Sequence, residues 1–254
     1  MHSGIGQGGA GQEGSGQDSV EKDSARKGRF ISFEGGEGAG KSTQCRRLKD
    51  ALAAAGYNAL LTREPGGSER AEEIRAALLS GAIKPFGHAA EAMMFSAARI
   101  DHLDKTIRPA LNAGIWVICD RFADSTRAYQ GALGELDLAL IEALEIVAVG
   151  ATRPELTFIL DIAPEEGLRR AVKRAGAGAT ADRFEREALG FHRAVRNRFL
   201  DIAAHEPERC SVIDASLGPD AVFERVWSTV NLRLLGPLSA PLRGRLRVQR
   251  EARA

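Results

Sequence analysis

The chain predicts an α/β fold, a five-stranded parallel sheet with helices on both faces. Two observations carry that prediction. Apolar runs of strand length alternate with longer segments of helical period. The first of these strands also leads directly into Gly35-Gly-Glu-Gly-Ala-Gly-Lys-Ser42, a glycine-rich loop that fits G-x-x-x-x-G-K-[ST] and opens a helix. The alternation implies right-handed βαβ crossovers, hence a parallel sheet whose ligands gather at the carboxyl ends of the strands.

In chain order, the first strand is expected at Arg29–Phe33 and the helix after the loop at Ser42–Ala55. A second strand, Asn58–Leu61, ends in a turn built on Pro65-Gly-Gly67, and a helix follows at Glu69–Leu79. Ala89–Asn112 is the longest helical pattern, and its stripe of Met93, Ala97, Ile100 and Ile107 is expected to face the core. The third strand, Ile115–Cys119, precedes short helices at Ser125–Gly131 and Asp137–Ala148. The fourth, Leu156–Leu160, leads to a helix at Pro164–Arg174, then one at Glu185–Ala204. Cys210–Ile213 and a helix at Asp220–Leu235 complete the pattern.

Composition narrows the class further. Of the residues, 44% are hydrophobic, enough for a sizeable core, and a formal charge of +1 implies no polyanionic partner such as nucleic acid. Cys45, Cys119 and Cys210 lie far apart, without C-x-x-C spacing, so reduced thiols in a cytoplasmic protein are the expectation. No apolar run approaches a membrane span or a signal-peptide core, so no membrane partner is expected. Residues 1–27, rich in Gly, Ser and Gln, and the arginine-rich 236–254 read as disordered tails around a domain at 28–235.

Each of the first three strands ends in a polar cluster, and the three clusters open on one edge. In the first, glycines 35, 36, 38 and 40 turn backbone amides toward a phosphate, Lys41 reaches β- and γ-phosphate oxygens, and Ser42 offers a hydroxyl to Mg²⁺. The second contains Arg63 and Glu64, the third Asp120 and Arg121. These acid–base pairs either hold a second phosphate and water-coordinated Mg²⁺ or pair with one another at the strand ends. By helical spacing Phe95 and Arg99 lie together, away from the Met93 stripe; on the residues alone, Phe95 is either secondary core packing or part of a ligand face.

Several motifs in one register point further. Phe33-Glu-Gly-Gly-Glu-Gly-Ala-Gly-Lys-Ser-Thr43, Thr62-Arg-Glu-Pro-Gly-Gly-Ser68, Met94-Phe-x-Ala-Ala-Arg99, Trp116-Val-Ile-x-Asp-Arg121, Ala128-Tyr-Gln-Gly131 and Asp182-Arg-Phe-Glu185 together resemble the thymidylate kinase family, in its bacterial form, over about residues 29–232. The resemblance implies a P-loop nucleoside monophosphate kinase fold with a lid, and transfer of the ATP γ-phosphoryl group to dTMP, giving dTDP and ADP for dTTP synthesis. Mg²⁺ and a homodimer come with it.

By the same resemblance, Gly35, Gly36, Glu37, Gly38, Ala39, Gly40, Lys41, Ser42 and Thr43 bind ATP. The implied dTMP site comprises Glu64, Pro65, Arg75, Phe95, Arg99, Arg121, Thr126, Tyr129 and Gln130. Within it Phe95 stacks on the thymine, Arg99 donates to its O4, Thr126 lies near the base edge, and Tyr129 packs where a 2′-hydroxyl would protrude. Arg121 anchors the acceptor phosphate with Arg75 in support, and Glu37 sits near the 3′-hydroxyl or the phosphate-clamping arginine.

Phosphoryl transfer needs positive charge on the transferring group. The basic stretch at about 169–186 is either a solvated loop or the lid that supplies it, with Arg174 and Arg183 as candidates and Arg170 behind them. With Lys41, Arg121 and Glu37 these make up the expected catalytic set. The five histidines form no metal spacing and are expected at surface or helix-packing positions. A GTPase-type switch would need an Asn-Lys-x-Asp segment, which is absent; a catalytically silent nucleotide binder and a kinase for another nucleoside monophosphate remain as alternatives.

Overall fold

The computed structural model describes residues 28–132, 136–175 and 187–236. The expected tail at 1–27, the tail beyond 236 and lid residues 176–186, with Arg183, lie outside the described residues. Five strands, β1 (Phe30–Glu34), β2 (Ala59–Arg63), β3 (Trp116–Asp120), β4 (Leu156–Asp161) and β5 (Cys210–Asp214), form one sheet in the order β2-β3-β1-β4-β5. All four pairings are parallel, as the alternating pattern requires.

The central strands are mostly apolar because helices cover both of their faces, and of the exceptions, buried Ser32 and Thr157 hydrogen-bond each other at 2.7 Å. β1 is buried at every position, with alternate side chains facing opposite ways. Ile31 and Phe33 join Ile118, Phe158 and Leu160 in the layer beneath α1 (Lys41–Ala54) and α9 (Pro219–Val230). Phe30 joins Val117, Cys119 and Phe122 on the opposite face. β2 and β5 are edge strands and are only partly buried. The strand order places β3 between β1 and β2, so the chain leaves β1 to one side and reaches β4 on the other. The crevice at this switch lies outside the carboxyl ends of β1 and β3, where the glycine-rich loop and Asp120-Arg121 begin.

Further helices are α2 (Glu69–Ser80), α3 (Gly87–His102), α4 (Arg108–Asn112), α5 (Ala123–Ala132), α6 (Leu138–Val149), α7 (Pro164–Ala175) and α8 (Leu189–His205). Two expectations change here. The single helix expected at Ala89–Asn112 is broken by a π-helical segment, Leu103–Ile107, before α4. Pro109 has no N–H to return to the carbonyl of Lys105, so the regular ladder is interrupted there.

The core-facing stripe also sits on the wrong side. Met93 and Ile100 are 50% and 38% exposed and Ala97 is exposed, while Ile107 alone of that stripe is buried. The face of α3 turned inward carries Ala92, Ser96, Ala98, Arg99 and His102. Small residues there let α2 and α5 approach, and the buried polar groups are paired.

Candidate active site

The loop after β1 turns through glycines with positive φ at 35, 38 and 40, then delivers Lys41 as the first residue of α1. Gly38 has a second reason to lack a side chain. A Cβ there would lie 1.9 Å from the Gly167 carbonyl oxygen, and one on Gly167 would lie 2.3 Å from that of Glu37. Two glycines thus let the backbone of α7 rest directly on the phosphate-type loop. Gly167 escaped the sequence reading; a glycine in the first turns of an otherwise regular helix was the available signal.

Lys41 is buried, and its ammonium donates to the carbonyls of Gly35 and Gly36 at 3.0 and 2.8 Å. Burial lowers its pKa and neighbouring Arg121 adds to that push, against Glu37, Asp120 and Glu34. Ser42 donates its hydroxyl to the Asp120 carboxylate. This hydroxyl–carboxylate pair at the mouth of the loop is an all-oxygen donor set suited to Mg²⁺ that keeps water and phosphate ligands. No group of three or more His, Cys, Asp or Glu side chains with metal-ligand geometry occurs among the described residues.

Arg121 follows β3 with φ 70°, a left-handed conformation unusual for arginine. Its backbone N–H donates to the Phe33 carbonyl at 2.9 Å, which ties the turn to β1. The guanidinium donates to Glu37 Oε1 at 2.5 Å and stacks over the Tyr129 ring, 4.9 Å from its centroid. Tyr129 donates its hydroxyl to the same Glu37 oxygen at 2.8 Å. Burial would raise the pKa of Glu37, but the charges of Arg121 and Lys41 outweigh it and hold the carboxyl at about 2. Despite burial, Glu37 and its neighbours push the Arg121 pKa up, so it stays charged.

Glu34, the last residue of β1, was missed by the sequence reading although it follows an apolar run just as Asp120 does. Fully buried, it accepts from the Phe122 N–H at 2.7 Å and the Ser125 hydroxyl at 2.6 Å, and so holds the start of α5 beneath Arg121. Burial, with Asp124 nearby, raises its pKa to about 8.

The second pair does not close on itself, although both of its residues line the cleft. Arg63 bonds Glu72 at 2.9 and 3.0 Å, not Glu64. Glu64 turns inward to Arg99, whose Nε donates to it at 2.8 Å, and Arg99 Nη2 continues to the Thr126 hydroxyl at 3.1 Å. His102 is fully buried in contact with Glu64, which corrects its placement among surface or packing histidines. Arg75 donates to the Pro65 carbonyl at 2.7 Å. Arg170 is tied to Glu166 and to the carbonyls of Ala215 and Ser216, turned to the loop after β5.

One cleft of about 430 Å³ collects nearly all of these groups. Its phosphate-loop wall carries Glu37, Gly38, Gly40, Lys41, Ser42 and Thr43. Opposite stand Glu64, Pro65, Arg75, Phe95 and Arg99, with Arg121, Thr126, Tyr129 and Gln130 from the turn and α5. Arg174, exposed near the end of α7, reaches it too. Gly35 and Gly36 lie behind the loop, lining a small neighbouring cavity with His192, and the Ala39 methyl is buried in the core beneath α1.

A parallel sheet of this order, a glycine-rich loop on a helix N-terminus and a polar cleft across the switch point define a nucleoside monophosphate kinase of the P-loop fold. The family model for thymidylate kinase matches residues 33–226. A thymidylate kinase of Rhodopseudomonas palustris strain TIE-1 is 57% identical over 215 residues, covering 84% of this chain and 93% of that protein. One from Bradyrhizobium diazoefficiens is 56% identical over 209 residues, covering 82% and 91%. The crystal structure of thymidylate kinase from Ehrlichia chaffeensis superposes with a TM-score of 0.64 at 33% identity, over 81% of this chain and 99% of the other. The chain belongs to the thymidylate kinase family.

Proposed function

We propose that residues 28–235 form one catalytic domain that transfers the γ-phosphoryl group of ATP to dTMP, yielding dTDP and ADP. The observation that carries this reading is the meeting of two halves in one cleft: the loop with Lys41 and Ser42, and the pocket of Phe95, Arg99, Arg121 and Tyr129. Two of the three ammonium hydrogens of Lys41 engage carbonyls, and the third serves a phosphate oxygen of ATP. Ser42, beside Asp120, would hold Mg²⁺ together with water and the phosphates, and the ion would neutralise charge on the transferring group.

On the acceptor side, Arg121 anchors the dTMP phosphate, with Arg75 bracing the Pro65 turn beside it. Phe95 stacks on thymine and Arg99 donates to its O4. Tyr129, pinned between Arg121 and Glu37, occupies the space a 2′-hydroxyl would need. The attacking phosphate oxygen is already anionic, so no general base is required; Glu37 orients Arg121 and Tyr129. Arg174, at the end of the helix that rests on the loop, brings positive charge to the transition state; Arg183, outside the described residues, is the second candidate for that role.

The exposed stripe Met93, Ala97 and Ile100 on α3 adjoins α6, which exposes Ile146 and Val147 at 67% and 76%. A second copy of the chain covering this apolar face gives the homodimer. No helix among the described residues is long and apolar enough to cross a membrane, and the three cysteines are free and buried, which fits a reducing cytoplasm. The reaction is tested by replacing Lys41 with Ala and following ADP formation from ATP, Mg²⁺ and dTMP. A loss of a hundredfold or more in kcat at unchanged thermal stability supports the kinase reading, and wild-type turnover overturns it.

A further inference from the structure

We propose that His102 is a positioning residue for acceptor-base selection, acting through Glu64 on Arg99; the inference rests on the reading of Arg99 as the contact to the base. Three buried side chains form a relay. His102 is 0% exposed, Glu64 5% and Arg99 3%. His102 Nδ1 lies 3.1 Å from Glu64 Oε1, and Arg99 Nε donates to Glu64 Oε2 at 2.8 Å. Each carboxylate oxygen is thereby assigned to one partner, so Glu64 cannot turn without breaking a buried contact.

The far end of the relay is anchored as well. His102 Nε2 lies 2.7 Å from the Thr62 hydroxyl at the end of β2. Both ring nitrogens therefore have a partner, Glu64 at Nδ1 and Thr62 at Nε2. His102 and Arg99 stand three residues apart on α3, on one helix face, and Glu64 spans them from the neighbouring loop.

The loop is built around this ring. Gly67 has φ 88°, and a Cβ there would lie 2.3 Å from His102 Nε2. On either side of that contact, Thr106 donates to the Gly67 carbonyl at 2.8 Å and Ser68 to Asp101 at 2.6 Å.

The consequence falls on the Arg99 guanidinium. Nε is committed to Glu64, and Nη2 to Thr126 at 3.1 Å and the Phe122 carbonyl at 3.3 Å. That leaves Nη1 as the donor available to a ligand in the cleft that Arg99 lines. A fixed N–H donor there accepts a base with a carbonyl at C4 and disfavours one with an amino group, since two donors would then meet. Without His102, Glu64 gains freedom, and Arg99 can re-aim its fork.

The test compares dTMP with dCMP, whose C4 carries an amino group, in the full chain with ATP and Mg²⁺. His102→Leu is expected to lower the dTMP-to-dCMP ratio of kcat/KM at least tenfold, mainly through the KM for dTMP, with the KM for ATP within twofold of wild type. His102→Asn, which keeps a donor at the Nδ1 position, is expected to stay within about threefold. Should the Leu variant not fold, His102→Gln, whose amide reaches the Thr62 end but not Glu64, is expected to show the same loss. Arg99→Met separates the two layers of the argument. If it shifts the ratio while His102→Leu or His102→Gln does not, the relay is refuted and the base contact stands. If Arg99→Met leaves the ratio unchanged, the base reading fails and the inference with it. Parallel loss of kcat, both KM values and melting temperature in the Leu, Gln and Asn variants alike assigns His102 a purely structural role and also overturns the proposal.

Discussion

Arg121 and Glu37 face each other across the mouth of the phosphate-type loop, guanidinium to carboxylate at 2.5 Å, with Tyr129 closing the third side. The pair explains how an arginine remains in a left-handed turn: Glu37 and the Tyr129 ring hold its side chain while β1 holds its backbone. Removing the acid leaves a mostly buried cation without its partner.

Glu37→Gln is therefore expected to cost about 2 kcal/mol in stability at neutral pH. The native carboxyl is held at about 2 against an ordinary 4.5, so its contribution is complete above pH 4.5 and disappears as the pH falls through 2. Urea unfolding of wild type and variant across that range should show the gap narrowing in acid. A gap of constant size from pH 7 down to 3 would contradict the assignment.

Glu34 predicts the opposite slope. Its native pKa of about 8 means the folded state holds a proton that the unfolded chain releases near 4.5. Stability is thus lost as the pH rises from 4.5 toward 8, and levels off above it. Glu34→Gln should flatten that part of the wild-type profile while still accepting from the Phe122 N–H. Identical slopes for the two proteins between pH 5 and 8 would show that Glu34 does not titrate there.

Gly167→Ala places a methyl 2.3 Å from the Glu37 carbonyl, backbone against backbone. Either α7 or the loop must move, at a cost of about 1–3 kcal/mol. Because that loop is the proposed ATP cradle, the KM for ATP should rise several-fold while that for dTMP changes little. Chemical denaturation and the two KM values check it; unchanged stability and unchanged KM for ATP would mean the contact is not constraining.

Much of this is legible in the sequence. All five strands fall within a residue or two of their expected positions, because short apolar runs bounded by turns leave little freedom. The loop at Gly35–Ser42 and the clusters after β2 and β3 converge as parallel topology demands. What failed was the orientation of α3. Helical period reveals an apolar stripe but not whether the core or a partner covers it, and Met93 and Ile100, expected at the core, are exposed. Nor does local pattern pair residues distant in the chain. Glu64 with Arg99, Glu34 with Phe122 and Gly167 with Glu37 are tertiary contacts, visible only once the helices are packed.

The central claim, that this cleft phosphorylates dTMP, is tested most directly by ADP formation from ATP and Mg²⁺ across the five common nucleoside monophosphates. The account predicts dTMP as the best acceptor by at least tenfold in kcat/KM, about 1.4 kcal/mol of transition-state discrimination. A ribonucleotide or purine acceptor equal to or better than dTMP would contradict it.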